Sequence, residues 1–457
     1  MMAVQEAARA LDAEWRGEDA FFTGVSTDSR MVGRGDLFVA LRGEKYDGHE
    51  FVVTAKEKGA VAAMVCRGAE TGNRELGIPL ILVKNTRLGL GQLAAHWRGR
   101  FVIPLVAVTG SNGKTTVKEM IASILRQMTG GADRVLATEG NLNNDIGVPQ
   151  MLLRLRAQHA YAVIEMGMNH AGEIAYLTGL AKPSVALITN AGAAHLAGLG
   201  SVEAVARAKG EVFEGLDLTG VAVINADDPY APLWRKFAGS RRVVDFGLGA
   251  GAAVSARYQL NPLNSRMTMT LPDGVEEVAL QVPGEHNVRN ALAAAAATAA
   301  MGIDKEIIAL GLSSFSGVKG RMQKKRGLHE ATLIDDSYNA NPESVRAALA
   351  VLAAAPGKKI LVLGDMGELG ANAVALHASI GEEARLAGVD RLFAMGELSA
   401  SAVAKFGAGA RHFERIEELV AEVRGQLAAD VTVLVKGSRF MQMERVVKDI
   451  ELRVPNC

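Results

Sequence analysis

Leu105-Val106-Ala107-Val108-Thr109-Gly110-Ser111-Asn112-Gly113-Lys114-Thr115-Thr116 is an apolar run followed by a glycine-bearing turn, and a helical pattern from Val117 to Met128 comes next. This order of strand, turn and helix N-terminus aims backbone N–H groups at one centre, where the helix dipole adds positive potential. Lys114 is placed to meet outer phosphates and Thr115 to offer a hydroxyl to Mg²⁺. The chain is therefore expected to handle a nucleoside triphosphate. In the common phosphate loop, G-x-x-x-x-G-K-[ST], the first glycine would fall on Val108. The loop is thus a shorter variant that opens at Gly110. By itself it does not separate a motor, a switch and a bond-forming enzyme.

Around the loop lie further unbroken apolar runs, Ala162–Glu165, Val185–Thr189 and Val221–Asn225, separated by helical patterns. Continuous rather than alternating runs predict strands buried on both faces of a parallel sheet. Residues 252–282 alternate instead and contain Pro272-Asp273-Gly274, which predicts a short antiparallel section. Upstream, strands are expected at Asp36–Leu41, Ala60–Val65 and Leu80–Val83, with helices at Glu50–Lys58 and Leu88–Arg100. Downstream of a boundary near Gly317 to Gly320, strands are expected at Thr332–Asp335, Ile360–Leu363, Arg391–Ala394 and Val431–Val435. A length of 457 residues exceeds one core and suits this division into three α/β units.

Composition narrows the class. Fifty Lys and Arg balance fifty Asp and Glu, so no chain-wide field selects nucleic acid or an anionic membrane. The two cysteines, Cys66 and Cys457, offer no disulfide framework and suit a reducing compartment. Cys66 reads as a core thiol and Cys457 as exposed. Glu6, Arg9, Asp12, Glu14 and Arg16 exclude a secretory h-region at the N-terminus. The alanine-rich stretch Ala291 to Ile303 is too short to span a bilayer and reads as a helix packed on a sheet. A cytoplasmic monomer without membrane insertion is expected.

Polar residues gather at the carboxyl ends of the expected strands, where parallel sheets bind ligands. Glu165 ends one strand and suits either Mg²⁺ or a structural salt bridge; Asn169 and His170 follow it. His195 lies beyond the next strand, and Lys209 sits on a helix where periodicity allows exposure. Asn287 and Asn290 can cap the alanine-rich helix or meet a nucleobase edge. Asp335-Asp336-Ser337-Tyr338-Asn339-Ala340-Asn341-Pro342 and Lys436-Gly437-Ser438-Arg439 carry more polar groups than turning the chain requires. Gly364-Asp365-Met366-Gly367-Glu368-Leu369-Gly370 has the wrong spacing for a dinucleotide fingerprint. Asn225-Ala226-Asp227-Asp228 lacks the lysine of a guanine-specific loop.

Taken in order, these strings resemble the Mur ligase family over nearly the whole chain. They are Ser26 to Arg30, Thr109 to Thr116, Gly140-Asn141-Leu142-Asn143-Asn144-Asp145-Ile146-Gly147, Glu165 to Ile174, His195, Lys209-Gly210-Glu211, His286-Asn287, Tyr338 to Pro342, Gly364 to Gly370 and Lys436-Gly437-Ser438. The short phosphate loop is usual in that family. Asn-Leu-Asn-Asn, Asn-Ala-Asn-Pro and Gly-Asp-Met-Gly-Glu-Leu-Gly point to its D-alanyl-D-alanine-adding branch. Folylpolyglutamate synthase shares the loop, the carboxylate, the histidine and the lysine. The branch that adds the third amino acid carries an Asp-Asn-Pro-Arg string, which this chain lacks.

The resemblance implies a UDP-substrate domain at 1–103, an ATP-binding P-loop domain at 104–318 and a Rossmann-like ligase domain at 319–457. It implies ATP and Mg²⁺ as cofactors, and UDP-N-acetylmuramoyl-tripeptide and D-alanyl-D-alanine as substrates joined through an acyl phosphate. Lys114, Glu165, His195 and Lys209 become catalytic, with Thr115, Glu165, His195 and a carbamylated Lys209 around metal. Gly110, Ser111, Asn112, Gly113, Lys114, Thr115, Thr116, His286, Asn287, Asn290, Arg321 and Asp336 are implied to bind ATP. Ser26, Thr27, Asp28, Ser29, Arg30, Gly43, Asp47, His49, Asn141, Asn143, Asn144, Tyr338, Asn339 and Asn341 are implied to bind the other substrates.

Overall fold

The structure, a computed structural model, describes residues 1–69, 77–193, 196–249 and 251–452. Its central feature is a six-stranded, wholly parallel sheet in the spatial order Arg242–Phe246, Val221–Asn225, Val185–Ile188, Leu105–Thr109, Tyr161–Glu165, Val135–Ala137. Every residue of Leu105–Thr109, Val185–Ile188 and Val221–Asn225 is buried, as unbroken apolar runs require. From Leu105–Thr109 the chain first builds the sheet to one side, then crosses to the other. The phosphate loop thus leaves the strand at the point where strand order reverses, which opens a crevice above the sheet.

Residues 252–282 form the expected antiparallel section, with strands Ser255–Leu260, Ser265–Leu271 and Gly274–Leu280. The alanine-rich helix runs Glu285–Ala300 and buries nearly every alanine against the phosphate-loop helix, Lys114–Thr129, and the sheet. Small side chains permit that close approach.

The first unit is a five-stranded sheet ordered Glu14–Arg16, Leu80–Val83, Ala62–Cys66, Asp36–Val39, Gly24–Ser26, parallel except for the first pair. The third unit is ordered Gln323–Arg326, Thr332–Asp336, Val431–Lys436, Lys358–Gly364, Arg391–Met395, Ala410–Phe413 and is likewise antiparallel only at its first pair. The expected interior strands are all present. The edge strands Glu14–Arg16, Gly24–Ser26, Val135–Ala137, Arg242–Phe246, Gln323–Arg326 and Ala410–Phe413 were not expected. They are short or polar, because an edge covers less of its surface and needs no continuous apolar run. Cys66 is also corrected: it ends its strand half-buried and is no core thiol. Cys457 lies outside the described residues.

One apolar core runs through the first and central units without a break, from Met2 and Val4 through Trp97 to Leu105 and Trp234. The third unit keeps two separate cores, one on each face of its sheet. Helix Thr86–Arg98 is the joint between the first two units. Trp97 Nε1 donates to Leu155 O at 3.0 Å, and Arg98 Nε donates to Ala181 O at 3.0 Å. Trp97 also meets Phe101 edge to face, with centroids 5.3 Å apart. Trp97→Ala is expected to cost about 3–5 kcal/mol, for the lost burial and the cavity left behind. Denaturant unfolding of the full chain checks this. The earliest transition moves to lower denaturant, and tryptic cleavage appears between the first two units.

Candidate active site

Two glycines permit the phosphate loop. Gly110 has φ 145° and Gly113 φ 84°, both in territory that side chains avoid. A Cβ on Gly110 would strike the Thr189 hydroxyl, and one on Gly113 would strike the Asn290 carboxamide oxygen. The loop therefore lies against the end of the next strand on one side and the alanine-rich helix on the other. Asn112 N donates to Asn190 Oδ1 at 2.9 Å, Thr189 Oγ1 donates to Asn112 O at 2.6 Å, and Ser111 N donates to Asn190 O at 3.0 Å. Lys114 folds back onto its own loop, with Nζ donating to Gly110 O at 2.7 Å and Ser111 O at 3.3 Å.

Thr115 Oγ1 donates to Glu165 Oε2 at 2.7 Å, and Asn143 Nδ2 donates to Glu165 Oε1 at 2.8 Å. Glu165 is buried, and its backbone N–H is held by Thr138 Oγ1 at 2.9 Å. Lys118, also buried, anchors that segment through a 2.6 Å bond from Nζ to Thr138 O. A hydroxyl and a carboxylate oxygen side by side are the hard donors that suit Mg²⁺. Among the described residues no group of three or more His, Cys, Asp or Glu side chains forms a protein-only metal cage.

Lys209 is buried, not exposed as periodicity allowed. Burial, reinforced by the charge of Lys114, holds its amine well below the ordinary lysine range. Burial also lowers Lys114, with Glu165 pulling it up and Arg321 pushing it down. His195 lies outside the described residues.

The third unit faces this loop across a cleft of about 600 Å³. Asp336, buried at the end of its strand, accepts from Lys436 Nζ at 2.5 Å and from Met322 N at 3.1 Å. Lys436 also donates to Asn339 O at 2.9 Å. The Arg321 guanidinium stacks over Tyr338, 4.2 Å from the ring centre. Burial keeps His286 below the usual histidine range despite the pull of Asp336. Ser111, Asn112, Gly113, Lys114, Thr115, Thr116, His286, Asn287, Asn290, Arg321 and Asp336 all line the cleft, together with Asn141, Asn143, Asn144, Glu165, Tyr338, Asn339 and Asn341.

Of the two roles open to Asn287 and Asn290, helix capping is not the one they take. Gly284 occupies the N-cap without a side-chain bond, and both asparagines lie buried inside the helix. Asn290 Nδ2 donates to Asn287 Oδ1 at 3.2 Å, which turns its oxygen toward Gly113.

The early loops lie apart from the cleft; none of Ser26, Thr27, Asp28, Ser29, Arg30, Gly43, Asp47 or His49 lines it. Asp28 and Arg30 form an ion pair at 2.7 Å, and the Arg30 hydrogen bonds bring the Asp28 carboxyl to about 2. Thr27 Oγ1 accepts from Gln150 Nε2 of the central unit at 2.5 Å. His49 spends both ring nitrogens inside the protein. Nδ1 meets Asp47 Oδ1 at 2.5 Å, and Nε2 accepts from Cys66 N at 2.9 Å. His49 shapes the loop around it.

Sequence reasoning passed over Asn190, Thr138 and Glu343. Asn190 and Thr138 stand just past strand ends, a position that is itself a signal. Glu343 Oε2 accepts from Asn112 Nδ2 at 3.1 Å, and nothing local in the sequence marks it.

Comparison with known proteins fits this arrangement. The family profile described as "Mur ligase middle domain" matches residues 108–298, "Mur ligase, glutamate ligase domain" residues 320–439, and "Mur ligase family, catalytic domain" residues 21–98. The chain is 43% identical over 445 residues to the UDP-N-acetylmuramoyl-tripeptide--D-alanyl-D-alanine ligase of Escherichia coli K12, covering 96% of each chain. A crystal structure of MurF from Acinetobacter baumannii superposes with TM-score 0.89 at 36% identity, covering 98% of each chain. The MurF ligase of Thermotoga maritima in complex with ADP gives TM-score 0.81 at 26% identity, covering 93% of this chain and 96% of that one.

Proposed function

The chain belongs to the Mur ligase family, and we propose that the cleft between its central and third units is where it forms an amide bond. It is an ATP-dependent ligase that adds D-alanyl-D-alanine to UDP-N-acetylmuramoyl-tripeptide in peptidoglycan precursor synthesis. ATP and Mg²⁺ are its cofactors. The observation that carries the site is a phosphate loop facing the polar loops of another unit across one cleft.

A carboxylate does not condense directly with an amine, because its oxygen is a poor leaving group. In the proposed sequence the γ-phosphoryl group of ATP passes to the terminal carboxylate of the tripeptide and ADP departs. The amine of D-alanyl-D-alanine then attacks the carbonyl carbon of the acyl phosphate, and inorganic phosphate leaves. Lys114 neutralises charge on the phosphoryl group in flight. Mg²⁺, when bound, neutralises the phosphate oxygens, and Thr115 and Glu165 are the residues that would hold it. His286, Asn287, Asn290, Arg321 and Asp336 approach the nucleotide from both sides, while the asparagines at 141, 143, 144 and 339 and Tyr338 orient the peptides. Ser26 to Arg30 and the loop from Gly43 to His49 hold the UDP-sugar end. We place the functional boundaries at residues 103/104 and 318/319 and take the enzyme as a cytoplasmic monomer. No helix among the described residues is long and apolar enough to cross a membrane.

A phosphate-release assay with product mass tests the proposal, using ATP, Mg²⁺, UDP-N-acetylmuramoyl-tripeptide and D-alanyl-D-alanine and omitting each in turn. Turnover needs all four, and the product gains one D-alanyl-D-alanine less water. Phosphate release indifferent to both peptide substrates would refute it.

A further inference from the structure

The third unit shares no apolar core with the central unit, yet two directional bonds join it to the tip of the phosphate loop and a third to the segment after strand Val185–Ile188. Asn341 Nδ2 donates to Asn112 Oδ1 at 2.8 Å. Asn112 Nδ2 donates to Glu343 Oε2 at 3.1 Å, and Ala193 N donates to Glu343 Oε1 at 3.1 Å. The Asn112 carboxamide is thus used in both senses, accepting from one residue and donating to another two positions along. That fixes its rotamer and its flip. One carboxylate meanwhile ties the phosphate loop to the segment after strand Val185–Ile188. Gly192 leaves room for it, since a Cβ there would strike the Glu343 carboxylate.

The supporting shell is local and rigid. Asn341 caps helix Pro342–Ala353 through Ser344 N at 2.9 Å in a reciprocal capping box, with Pro342 at the first helical turn. Both latch residues therefore sit on a stiffened helix start and not on a free loop. The same asparagine oxygen that caps the helix leaves its amide nitrogen to reach Asn112. Behind it, Ser438 Oγ donates to Ala340 O at 3.2 Å and accepts from Gly367 N at 2.8 Å. The Gly364–Gly370 string, which no phosphate or substrate role absorbed, thus braces the latch from behind.

We propose that Glu343 and Asn341 form a latch on Asn112 and Ala193 that holds the phosphate loop and the third unit in the arrangement that transfers the phosphoryl group. They are positioning residues, because they act through the loop and not on the reacting atoms. The inference rests on the ligase reading above. Glu343 is solvent-exposed, so removing its side chain leaves no cavity in a core.

The test is a double-mutant cycle on the full-length enzyme with Asn112→Ala, Glu343→Ala and the pair. Alongside kcat and each KM it records ADP affinity by calorimetry and the thermal midpoint. Glu343→Ala is expected to lower kcat roughly tenfold, the scale of losing hydrogen bonds to a charged acceptor, while KM for the UDP-substrate stays within about twofold. The double variant falls no further than Asn112→Ala alone, since the two residues act as one unit. Glu343→Gln, which keeps one acceptor oxygen, recovers part of the loss. Unchanged kcat in Glu343→Ala, additive losses in the cycle, or a loss matched by an equal fall in thermal midpoint overturns the latch. Wild-type enzyme inactive in the same assay would instead refute the ligase reading, so the two failures are distinguishable.

Discussion

Lys114→Ala is expected to drop kcat by at least about a thousandfold, to the floor of a phosphate-release assay, while the UDP-substrate still binds within about threefold of wild type. The lysine is half-buried against the loop carbonyls of Gly110 and Ser111, where one charge on a transferring phosphoryl group counts for more than it would in open water. Desolvation draws its pKa below the ordinary lysine value, and an arriving polyphosphate supplies the anion that stabilises its protonated form. None of the early-loop residues proposed to hold the UDP end lines the cleft, so on that proposal the UDP end is insulated from the substitution. Calorimetry with the UDP-substrate alone and a turnover assay separate the two effects. Equal loss of both would end the division of labour between the first and central units.

The second large effect is at Lys209. Lys209→Ala is expected to lose roughly a hundredfold in activity and to recover part of it with added acetate or formate. The amine is buried near Lys114, and both burial and that neighbouring charge disfavour its cationic form. A neutral amine has the lone pair that attacks the carbon of carbon dioxide, and loss of one proton to solvent leaves a carbamate, an anion in place of a cation, as the family resemblance implies. A small carboxylate diffusing into the truncated site restores the anion without the tether. Full activity of Lys209→Ala with no additive would remove the carbamate.

The same depression bears on stability. The unfolded chain protonates this lysine below about 10.4 while the native state resists, so the unfolded state binds more protons. Its contribution to stability therefore rises with pH through the folded value and levels off above the unfolded one. In Lys209→Met, denaturant midpoints should lose that part of the pH dependence.

Much of this was legible in the chain alone. Leu105–Thr109 and Val221–Asn225 announce buried parallel strands, because a strand covered on both faces tolerates apolar side chains at every position. Gly110 to Thr116 announces the phosphate site, because backbone N–H groups, the helix dipole and a lysine are all consecutive in sequence. The Asn-Ala-Asn-Pro string marks a polar helix start for the same reason: cap, proline and helix are neighbours along the chain.

Tertiary structure decided what depends on partners far apart in sequence. Periodicity leaves the exposure of Lys209 open, and it is buried, since burial is set by what packs above it and not by its own periodicity. Asn287 and Asn290 could cap their helix or meet a nucleobase edge; they lie inside the helix, where Asn290 meets Gly113. The shared core of the first two units, against the separate cores of the third, came only from the assembled fold. Glu343 gained its place from a loop 231 residues earlier, through a bond that carries no local pattern. Local chemistry writes itself into consecutive residues, whereas a contact across a cleft leaves its mark only when the chain has folded around it.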